Sequence, residues 1–482
     1  MTTELNIHQE YYNDTLKLNP LSATFAGDHR FDGEYINCFT EEYRIKSINL
    51  INKYTPHIKQ FEPFSDLIKY TLDKEKKFLS LSFYYLPVNH LENPFQELLD
   101  VVPYSNLPNS LIYYKKRIIK MINTLPELQM NMIHGINAGI VSNKKCISIL
   151  ITKLRTLKLP KVNKEFTKFM KNNFIPEAHK FADFLNKYLP FTKESLGLYG
   201  LNYSLYKFCI SNETDTNYNP ETIHKLGLSL VHSINKMKSI HNSNLKKESN
   251  IFKTSKEAVD AYTSKFYELR DISGIQIKLP KITVINEPYE AAFTYWEPTL
   301  DGKNPGILKL NSRDISKHGM YKSDVLNLTA HELYGHGYQL PTIILNKSLP
   351  KWVRTTSFTS VSEGFALYME TLFKGTSLEN YSSLNSLQLR AVRLVIDTGI
   401  HYKGWSFDKC YNYMKKYLYL PDEEITAEIY RYSVLPGQAL SYMIGCNIII
   451  KMRKKWEGTT EEFVRWFVSV SYLPICLIKQ LI

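Results

Sequence analysis

The spacing of hydrophobic residues along the chain predicts a protein that is mainly α-helical. Through residues 43–187, apolar side chains recur every three or four positions, clearly so at 111–125 and 146–159, as in successive amphipathic helices. Residues 219–240 repeat this spacing after an Asn-Pro-Glu sequence of the kind that begins helices. Helical spacing resumes at residue 323 and continues to the end of the sequence.

A different pattern between residues 278 and 311 predicts one small β-sheet. Residues 281–285 and 291–296 are rich in β-branched and aromatic side chains, and a turn-like sequence at 300–306 leads into a further strand at 307–310. We therefore expect a large helical body with one small sheet, which comes directly before the helix with the clearest chemical motif.

Composition fits such a body. Of the 482 residues, 44% are hydrophobic and 22% are charged, which excludes a disordered or fibrous protein. The 20 glycines and 21 prolines are few for a propeller or sandwich with many tight turns. We expect residues 1–270 to form a mostly helical half and residues 271–482 to hold the sheet and the candidate site, with both halves in one continuous unit.

Charge and cysteine content indicate the compartment and exclude some partners. The net charge of +13 could indicate a nucleic-acid partner, but the basic residues are spread along the chain without a recognisable nucleic-acid motif, so none is expected. The six cysteines are far apart, which is typical of reduced thiols in the cytosol. Residues 1–18 lack the pattern of a secretory signal, and the apolar stretches 439–450 and 466–478 are too short to span a bilayer. The sequence predicts a cytoplasmic protein with no membrane contact.

The most informative motif is His331-Glu332-Leu-Tyr-Gly-His336, in the helix predicted after the sheet. Histidines four positions apart lie on one helical face and bind zinc together in the H-E-x-x-H motif. Here the step is five positions, about 500° on an ideal α-helix, which separates the two rings by about 140°. A π-bulge, made easier by Gly335 and Gly337, would bring both imidazoles to one ion. The alternative is two histidines on different faces of a core helix.

A catalytic zinc ion usually has three protein ligands, and the best third candidate is Glu363. This residue begins the sequence Glu363-Gly-Phe-Ala-Leu-Tyr-Met-Glu370, in which both glutamates share a helical face and the residues between them are apolar, aromatic or small. A carboxylate in such a setting needs a partner, and a metal ion would serve. The alternative is an acidic helix face turned to solvent.

The next predicted helix carries a polar stripe on an otherwise apolar surface. Its members follow one another at steps of three and four residues: Arg390, Arg393, Asp397 and His401. Because a helix that is apolar on most of its circumference is buried, we expect the stripe to face a site. Asp397 would fix the tautomer of His401 or raise its pKa. A plain stripe of ion pairs is the alternative.

A last segment, residues 428–442, places polar groups around a break at Pro436-Gly437. These groups lie in an apolar setting and need hydrogen-bond partners: Arg431, Tyr432, Gln438 and Tyr442. A tyrosine or histidine that donates to a developing oxyanion often accompanies zinc in amide hydrolysis. The alternative is that these residues satisfy one another inside the core.

Taken in order, these motifs make the chain resemble the domain-of-unknown-function family 885, mainly bacterial proteins similar to gluzincin-type zinc metallopeptidases. The likeness extends over nearly the whole chain, and its motifs are residues 331–336, 363–370, 395–401 and 431–442. The family's proline before Gly335 is absent, and Phe365 replaces its usual tryptophan. The shortened His-Glu-Leu-Tyr-Gly-His is similar to the H-E-x-x-G-H of dipeptidyl-peptidase III, where that spacing binds zinc.

The resemblance implies a helical peptidase with a deep substrate channel and one zinc ion per chain. It implies that His331, His336 and Glu363 bind the ion. Glu332 would then be the general base, which takes a proton from water and returns it to the leaving amine. Glu370 would support the zinc ligands.

The same resemblance implies roles around the reacting bond. His401 or Tyr442 would stabilise the oxyanion, with Asp397 behind His401. Other residues would contact substrate: Arg431 through a carboxylate, Tyr432 beside it, and Ala292 and Tyr295 by pairing with an extended peptide.

The predicted function is therefore zinc-dependent hydrolysis of short peptides. One alternative is a zinc hydrolase of a non-peptide amide or ester. Another, motivated by the altered histidine spacing, is a catalytically inactive scaffold that binds peptides without metal. The sequence does not indicate peptide specificity, the end of the peptide that is attacked, or the oligomeric state.

Overall fold

The computed structural model describes the chain from residue 4 to residue 482 except for 241–250, 287–292, 313–314 and 316–319. Over these residues the protein is mainly α-helical, which confirms the predicted fold class. The helical spacing seen in the sequence corresponds to real helices. In chain order the α-helices are Glu4–Leu18, Pro20–Phe25, Glu41–Tyr54, Ser65–Leu79, Pro94–Asp100, Leu111–Ala138, Lys144–Arg155, Lys164–Phe169, Ile175–Tyr188, Tyr203–Thr214, Pro220–Ile240, Ser255–Ser273, Val325–Leu328, Gly337–Ile344, Lys351–Arg354, Thr359–Leu372, Ser377–His401, Phe407–Tyr417, Asp422–Val434, Gln438–Lys455, Thr460–Val470 and Ile475–Ile478.

Three helices of this set position the candidate site. We call the π-helical segment Thr329–His336 the histidine helix, since it carries His331 and His336. Thr359–Leu372 is the glutamate helix, with Glu363 and Glu370. Ser377–His401 is the arginine helix, which begins with a capping box in which Thr376 and Glu379 exchange hydrogen bonds.

The small predicted sheet is present and has three strands in the order β1-β3-β2. β1 (Lys281–Ile285) pairs in parallel with β3 (Ile307–Asn311), and β2 (Phe293–Trp296) pairs antiparallel with the other side of β3. In this order β2 is an edge strand, so the backbone groups on its outer side are not used by the sheet. That outer side is directed at the histidine helix, because the Tyr295 N–H donates to the Glu332 side chain over 2.8 Å.

Two hydrophobic cores lie inside the protein. The larger contains residues from both sides of residue 270, while the smaller is built from residues between 35 and 188. The apolar segments 439–450 and 466–478, which are too short to span a bilayer, contribute to the larger core. The division of the chain into residues 1–270 and 271–482 stays a prediction.

Close contacts pack the glutamate helix against the histidine helix and against Gln438–Lys455. A Cβ atom added to Gly335 would lie 2.6 Å from the Ala366 Cα, so the histidine helix approaches the backbone of the glutamate helix. On the opposite side, a Cβ on Gly364 would lie 2.6 Å from the Gly445 Cα. Only residues without side chains permit such distances, because non-bonded carbon atoms normally stay about 3.5–4.0 Å apart.

The cysteines and the helix lengths bear on the environment. All six cysteines are free. In the described part of the chain, no single helix is both long and apolar enough to cross a bilayer. Asp422–Val434 and Gln438–Lys455 meet that test only when taken together, and they are bent by 88° at the break between them.

Candidate metal centre

The histidine helix has the π geometry that the five-residue spacing required. The Gly337 N–H donates to the Glu332 carbonyl, which is an i→i+5 bond, and the π-helical segment runs over Thr329–His336. The expectation of a π-bulge is thus confirmed. The wider turn brings the His331 and His336 rings to the same side, with their centroids 5.0 Å apart and their planes at 81°.

The glutamate helix supplies the third group. Oε2 of Glu363 lies 3.4 Å from Nε2 of His331 and 3.6 Å from Nε2 of His336. One ligand atom from each residue lies within 4.8 Å of the other two. The alternative of an acidic face turned to solvent does not describe Glu363, because this carboxylate is directed at the two imidazoles.

These distances match a tetrahedral zinc site. Zinc–nitrogen and zinc–oxygen bonds of about 2.0–2.1 Å at tetrahedral angles place neighbouring ligand atoms about 3.4 Å apart. Oε2 of Glu363 is also buried and has no hydrogen-bond partner in the described part of the protein. A buried carboxylate oxygen without a donor is costly, so a cation between it and the imidazoles is the simplest way to satisfy it. The three residues therefore fit a zinc ion.

Hydrogen bonds at the other ring nitrogens orient both imidazoles. Nδ1 of His331 donates to Oε1 of Glu370 over 2.7 Å, and Ser386 donates to the second oxygen of that carboxylate over 2.8 Å. Nδ1 of His336 lies 3.2 Å from the Ser362 hydroxyl. Both Nε2 atoms are thus directed to the side of Glu363, an arrangement typical of metal-binding histidines.

Electrostatics at the centre reflects the same contacts. Burial alone would raise the pKa of Glu363, but the two imidazoles hold it well below its usual value. Burial opposes charge on His331 as well, yet the neighbouring carboxylates Glu363 and Glu370 raise its pKa to about 10. The imidazoles and the carboxylates of this centre therefore stabilise one another's charged forms.

Glu332 stands beside this centre in a position suited to a base. It is half-buried, and Oε2 accepts the Tyr295 N–H of the edge strand β2. One carboxylate oxygen is thereby fixed by the sheet. The Tyr295 N–H therefore does not take part in the predicted pairing of β2 with a peptide, because it already donates to Glu332. Ala292, the other residue predicted to pair with a peptide, lies outside the described residues.

Tyr442 is also brought near the centre. Its ring lies under the guanidinium of Arg393, 4.8 Å from the ring centroid, and that of Arg390, at 5.9 Å. Burial raises the pKa of Tyr442, and the charge of Glu363 raises it further. The phenol is therefore protonated and lies within electrostatic reach of the candidate ligands.

Arg431 and Tyr432 belong to an ion-pair network around Glu428. Arg431 donates to Glu428 over 3.0 Å and to Oε1 of Gln438 over 2.8 Å, while the Tyr432 hydroxyl donates to Glu428 as well. Arg393 donates to the Tyr432 oxygen over 3.0 Å and contacts Glu428 at 3.2 Å. Arg393 and Arg431 thus share the Glu428 carboxylate. These polar groups largely satisfy one another, which was the alternative to a role in substrate binding. Sequence reasoning missed Glu428, although its place one turn before Arg431 and Tyr432 was a signal.

His401 and Asp397 do not have the contacts predicted for them. Nδ1 of His401 accepts the Leu198 N–H and Nε2 donates to the Tyr432 carbonyl, each over 2.9 Å, and burial lowers the pKa of His401 to about 3. Neither ring nitrogen is available to an oxyanion. Asp397 does not orient His401. It accepts the Tyr206 hydroxyl over 2.6 Å and the N–H of Gly437, which has a φ of +85°. Both residues hold helices together and are left out of the function proposed below.

Two adjoining cavities lie near the centre. The large cavity, of about 650 Å³, includes Gln438 in its wall. The small cavity, of about 440 Å³, includes Ser362. The two share wall residues: Tyr11, Thr15, Asn19 and Thr71. The small cavity reaches the centre through Ser362, which contacts His336.

Comparison with known families decides the relationship suggested by the motifs. The family described as "Bacterial protein of unknown function (DUF885)" matches residues 20–464. The chain belongs to this family. The match includes every residue discussed above for the metal centre. No curated protein matches this DUF885 chain.

Solved structures support the fold of this DUF885 protein. The first, described as a "putative lipoprotein from Colwellia psychrerythraea", has 18% identity and a TM-score of 0.81, covering 99% of this chain and 97% of its own. A "putative lipoprotein of unknown function from Shewanella oneidensis" has 14% identity and a TM-score of 0.71, with 98% of each chain covered. A carboxypeptidase from Pyrococcus furiosus has 10% identity over 96% and 91% of the two chains, but its TM-score of 0.39 carries no argument.

These comparisons concern fold and leave other predictions open. "Lipoprotein" is a description of those two proteins, and the cytoplasmic location predicted from the sequence stays a prediction.

Proposed function

We propose that this DUF885 protein is a zinc-dependent peptidase that hydrolyses short peptides. His331, His336 and Glu363 would hold the ion, and Glu332 would be the general base. The observation that carries the proposal is the approach of Glu363 Oε2 to two imidazole Nε2 atoms at 3.4 and 3.6 Å, where it has no hydrogen-bond partner among the described residues. A zinc ion bound there would act as a Lewis acid that activates water and polarises the scissile carbonyl.

Glu332 has the contacts that proton transfer requires. The Tyr295 N–H fixes Oε2, so the carboxylate cannot rotate freely and its other oxygen remains available to a water molecule. Glu332 would accept the proton of the attacking water and give it to the amine that leaves. This assignment also explains why a glutamate directly follows His331, because the side chain of residue 332 then projects beside the ligand set.

Tyr442 is the better candidate for oxyanion stabilisation. Its phenol is protonated, and the Arg393 guanidinium lies 4.8 Å from its ring centroid. A hydroxyl donor near a cation would favour the negative charge that develops on the carbonyl oxygen. His401, the other candidate from the sequence, uses both ring nitrogens for backbone contacts.

The cavities support short peptides as substrates. The cavity volumes of about 650 and 440 Å³ are in the range of small-ligand sites and too small for a folded protein. An extended peptide could lie through both, since the cavities share four wall residues.

Metal analysis and one conservative variant test the proposal. Protein purified without chelators should contain about one zinc ion per chain. Glu332→Gln retains an acceptor for the Tyr295 N–H, so it should keep the metal while kcat on peptides falls at least about a hundredfold. Glu457→Gln, which changes an exposed glutamate, is the matched control.

A substrate panel distinguishes the reaction classes. Unblocked peptides of three to ten residues should be cleaved, whereas acyl amides and esters should not. Full activity in Glu332→Gln, or protein that takes up no zinc when zinc is added, would contradict the proposal.

A further inference from the structure

The small cavity adjoins the candidate metal centre through two residues. Ser362 lines it, contacts His336 Nδ1 at 3.2 Å, and directly precedes Glu363. Gln339 also lines it and lies three residues after His336, in the helix that continues the histidine helix. A group bound in this cavity would therefore lie beside the reacting bond.

Gln339 presents an acceptor that no described group uses. The residue is only 3% exposed, and its Oε1 atom is buried without a hydrogen-bond partner in the described part of the chain. A buried carbonyl oxygen without a donor is unfavourable. Since this side chain lines a cavity, a donor on a bound ligand would satisfy it.

Glu297 adds a charge to the same cavity. It directly follows the edge strand β2 and lines the small cavity. Within the described ranges it makes no hydrogen bond or ion pair, although its accessible side chain is free to do so. Two residues earlier, the Tyr295 N–H holds Glu332. The strand thus places the Glu297 carboxylate two residues, or roughly 7 Å of chain, after Tyr295, whose N–H holds the proposed base.

An acidic oxygen and an amide oxygen without donors are the partners that an ammonium group needs. Arg354 also lines the cavity, but its guanidinium is 7% exposed and donates to the carbonyls of Ile344 and Leu300 over 2.6 and 3.1 Å. It is therefore already held by the protein.

We propose that the small cavity binds an ammonium group of the substrate through Glu297 and Gln339. This inference rests on the proposed peptidase function and specifies its substrates as peptides with a positive charge next to the cleaved bond. Carboxylates also line the large cavity, namely Glu75, Glu92 and Glu213. Its cation, Lys74, is engaged by the Asn212 carbonyl at 2.8 Å and by Asp215 at 3.7 Å. In a chain with a net charge of +13, the carboxylates along the cavity walls favour cationic ligands.

The ammonium group has two possible sources in a peptide, the free amino terminus and a lysine side chain. Calorimetric titration of zinc-loaded, full-length Glu332→Gln would measure binding without turnover. Four alanine-based pentapeptides serve as probes, with lysine or norleucine at the second position and a free or acetylated amino terminus. Loss of the relevant ammonium should weaken binding about tenfold or more. If the site binds the free amino terminus, acetylation should weaken binding. If it binds the lysine side chain, replacement of lysine by norleucine should weaken binding.

Further variants assign the effect to the cavity. Adding Glu297→Gln to the Glu332→Gln background should abolish the preference, and adding Glu297→Asp should restore part of it. Glu457→Gln in that background should leave it unchanged. Equal binding of all four peptides, or no binding of any, overturns the inference. A preference in binding without cleavage by the wild-type protein would uphold the ammonium site while contradicting the peptidase.

Discussion

Replacing Gly335 with alanine should weaken zinc binding although Gly335 is not a ligand. The added Cβ would lie 2.6 Å from the Ala366 Cα and 2.7 Å from the Ala366 Cβ. Ordinary carbon contacts are about 3.5–4.0 Å, so the histidine and glutamate helices would have to separate by about 1 Å. Ala366 lies one turn after Glu363, and zinc bond lengths tolerate only about 0.2 Å. The displaced carboxylate would leave the ligand set.

We expect Gly335→Ala to lower zinc affinity by about 10- to 100-fold, as for other changes that misplace ligands. Overpacking should also lower the free energy of unfolding by about 1–3 kcal/mol. Chelator competition measures the affinity, and thermal unfolding in excess chelator measures the stability without metal. Gly33→Ala is the control, because its Cβ would meet its nearest neighbour, Tyr113 Cδ1, at an ordinary 3.6 Å and away from the site. Wild-type zinc affinity in Gly335→Ala would refute the argument from helix approach.

Three further outcomes follow from the contacts. Glu370→Ala removes the acceptor of His331 Nδ1, so zinc affinity in chelator competition should fall about 10- to 100-fold; unchanged affinity would exclude this role. Tyr442→Phe should lower kcat on a peptide about a hundredfold with little change in zinc content, and a change confined to KM would argue against oxyanion stabilisation. His401 has a pKa lowered to about 3, so its neutral form stabilises the fold above pH 6.5, and this contribution is lost as the pH falls. Wild type should therefore lose about 1 kcal/mol more than His401→Gln between pH 7.0 and 5.5 in urea unfolding, and parallel losses would contradict this account.

The spacing of hydrophobic residues was sufficient to predict most of the helices. A helix in a globular protein buries one face, and apolar residues every three or four positions indicate which face that is. The helix at Pro220–Ile240 and the strands β1 and β3 fall where the pattern predicted them. The five-residue spacing of His331 and His336 also predicted the π-bulge, because a regular α-helix would direct the two rings to different sides. The sequence could not reveal what made the π-helical approach possible, namely that Gly335 contacts Ala366 of another helix.

Predictions failed where a polar residue on a buried helix was assumed to face the site. His401 and Asp397 lie on the same helical face as Arg393. Residue spacing predicts that shared face, but it does not predict which other part of the chain packs against each turn of it. At the Arg393 level the neighbour is Glu428, while at the His401 level it is backbone of Leu198 and Tyr432. A backbone partner leaves no trace in side-chain composition, so these structural contacts were not predictable.

The cost of the centre is itself an argument for a bound cation. Buried imidazoles and carboxylates weaken a fold unless each has a partner, and an apolar core of the same volume would be at least as stable. Glu370 is matched by His331, Ser386 and Arg390 at 2.7, 2.8 and 3.7 Å. Glu363 Oε2 is not matched by any donor in the described structure, although it is directed at two ring nitrogens held in place by other bonds. This arrangement supports the proposal that Glu363 and the two imidazoles hold a cation between them.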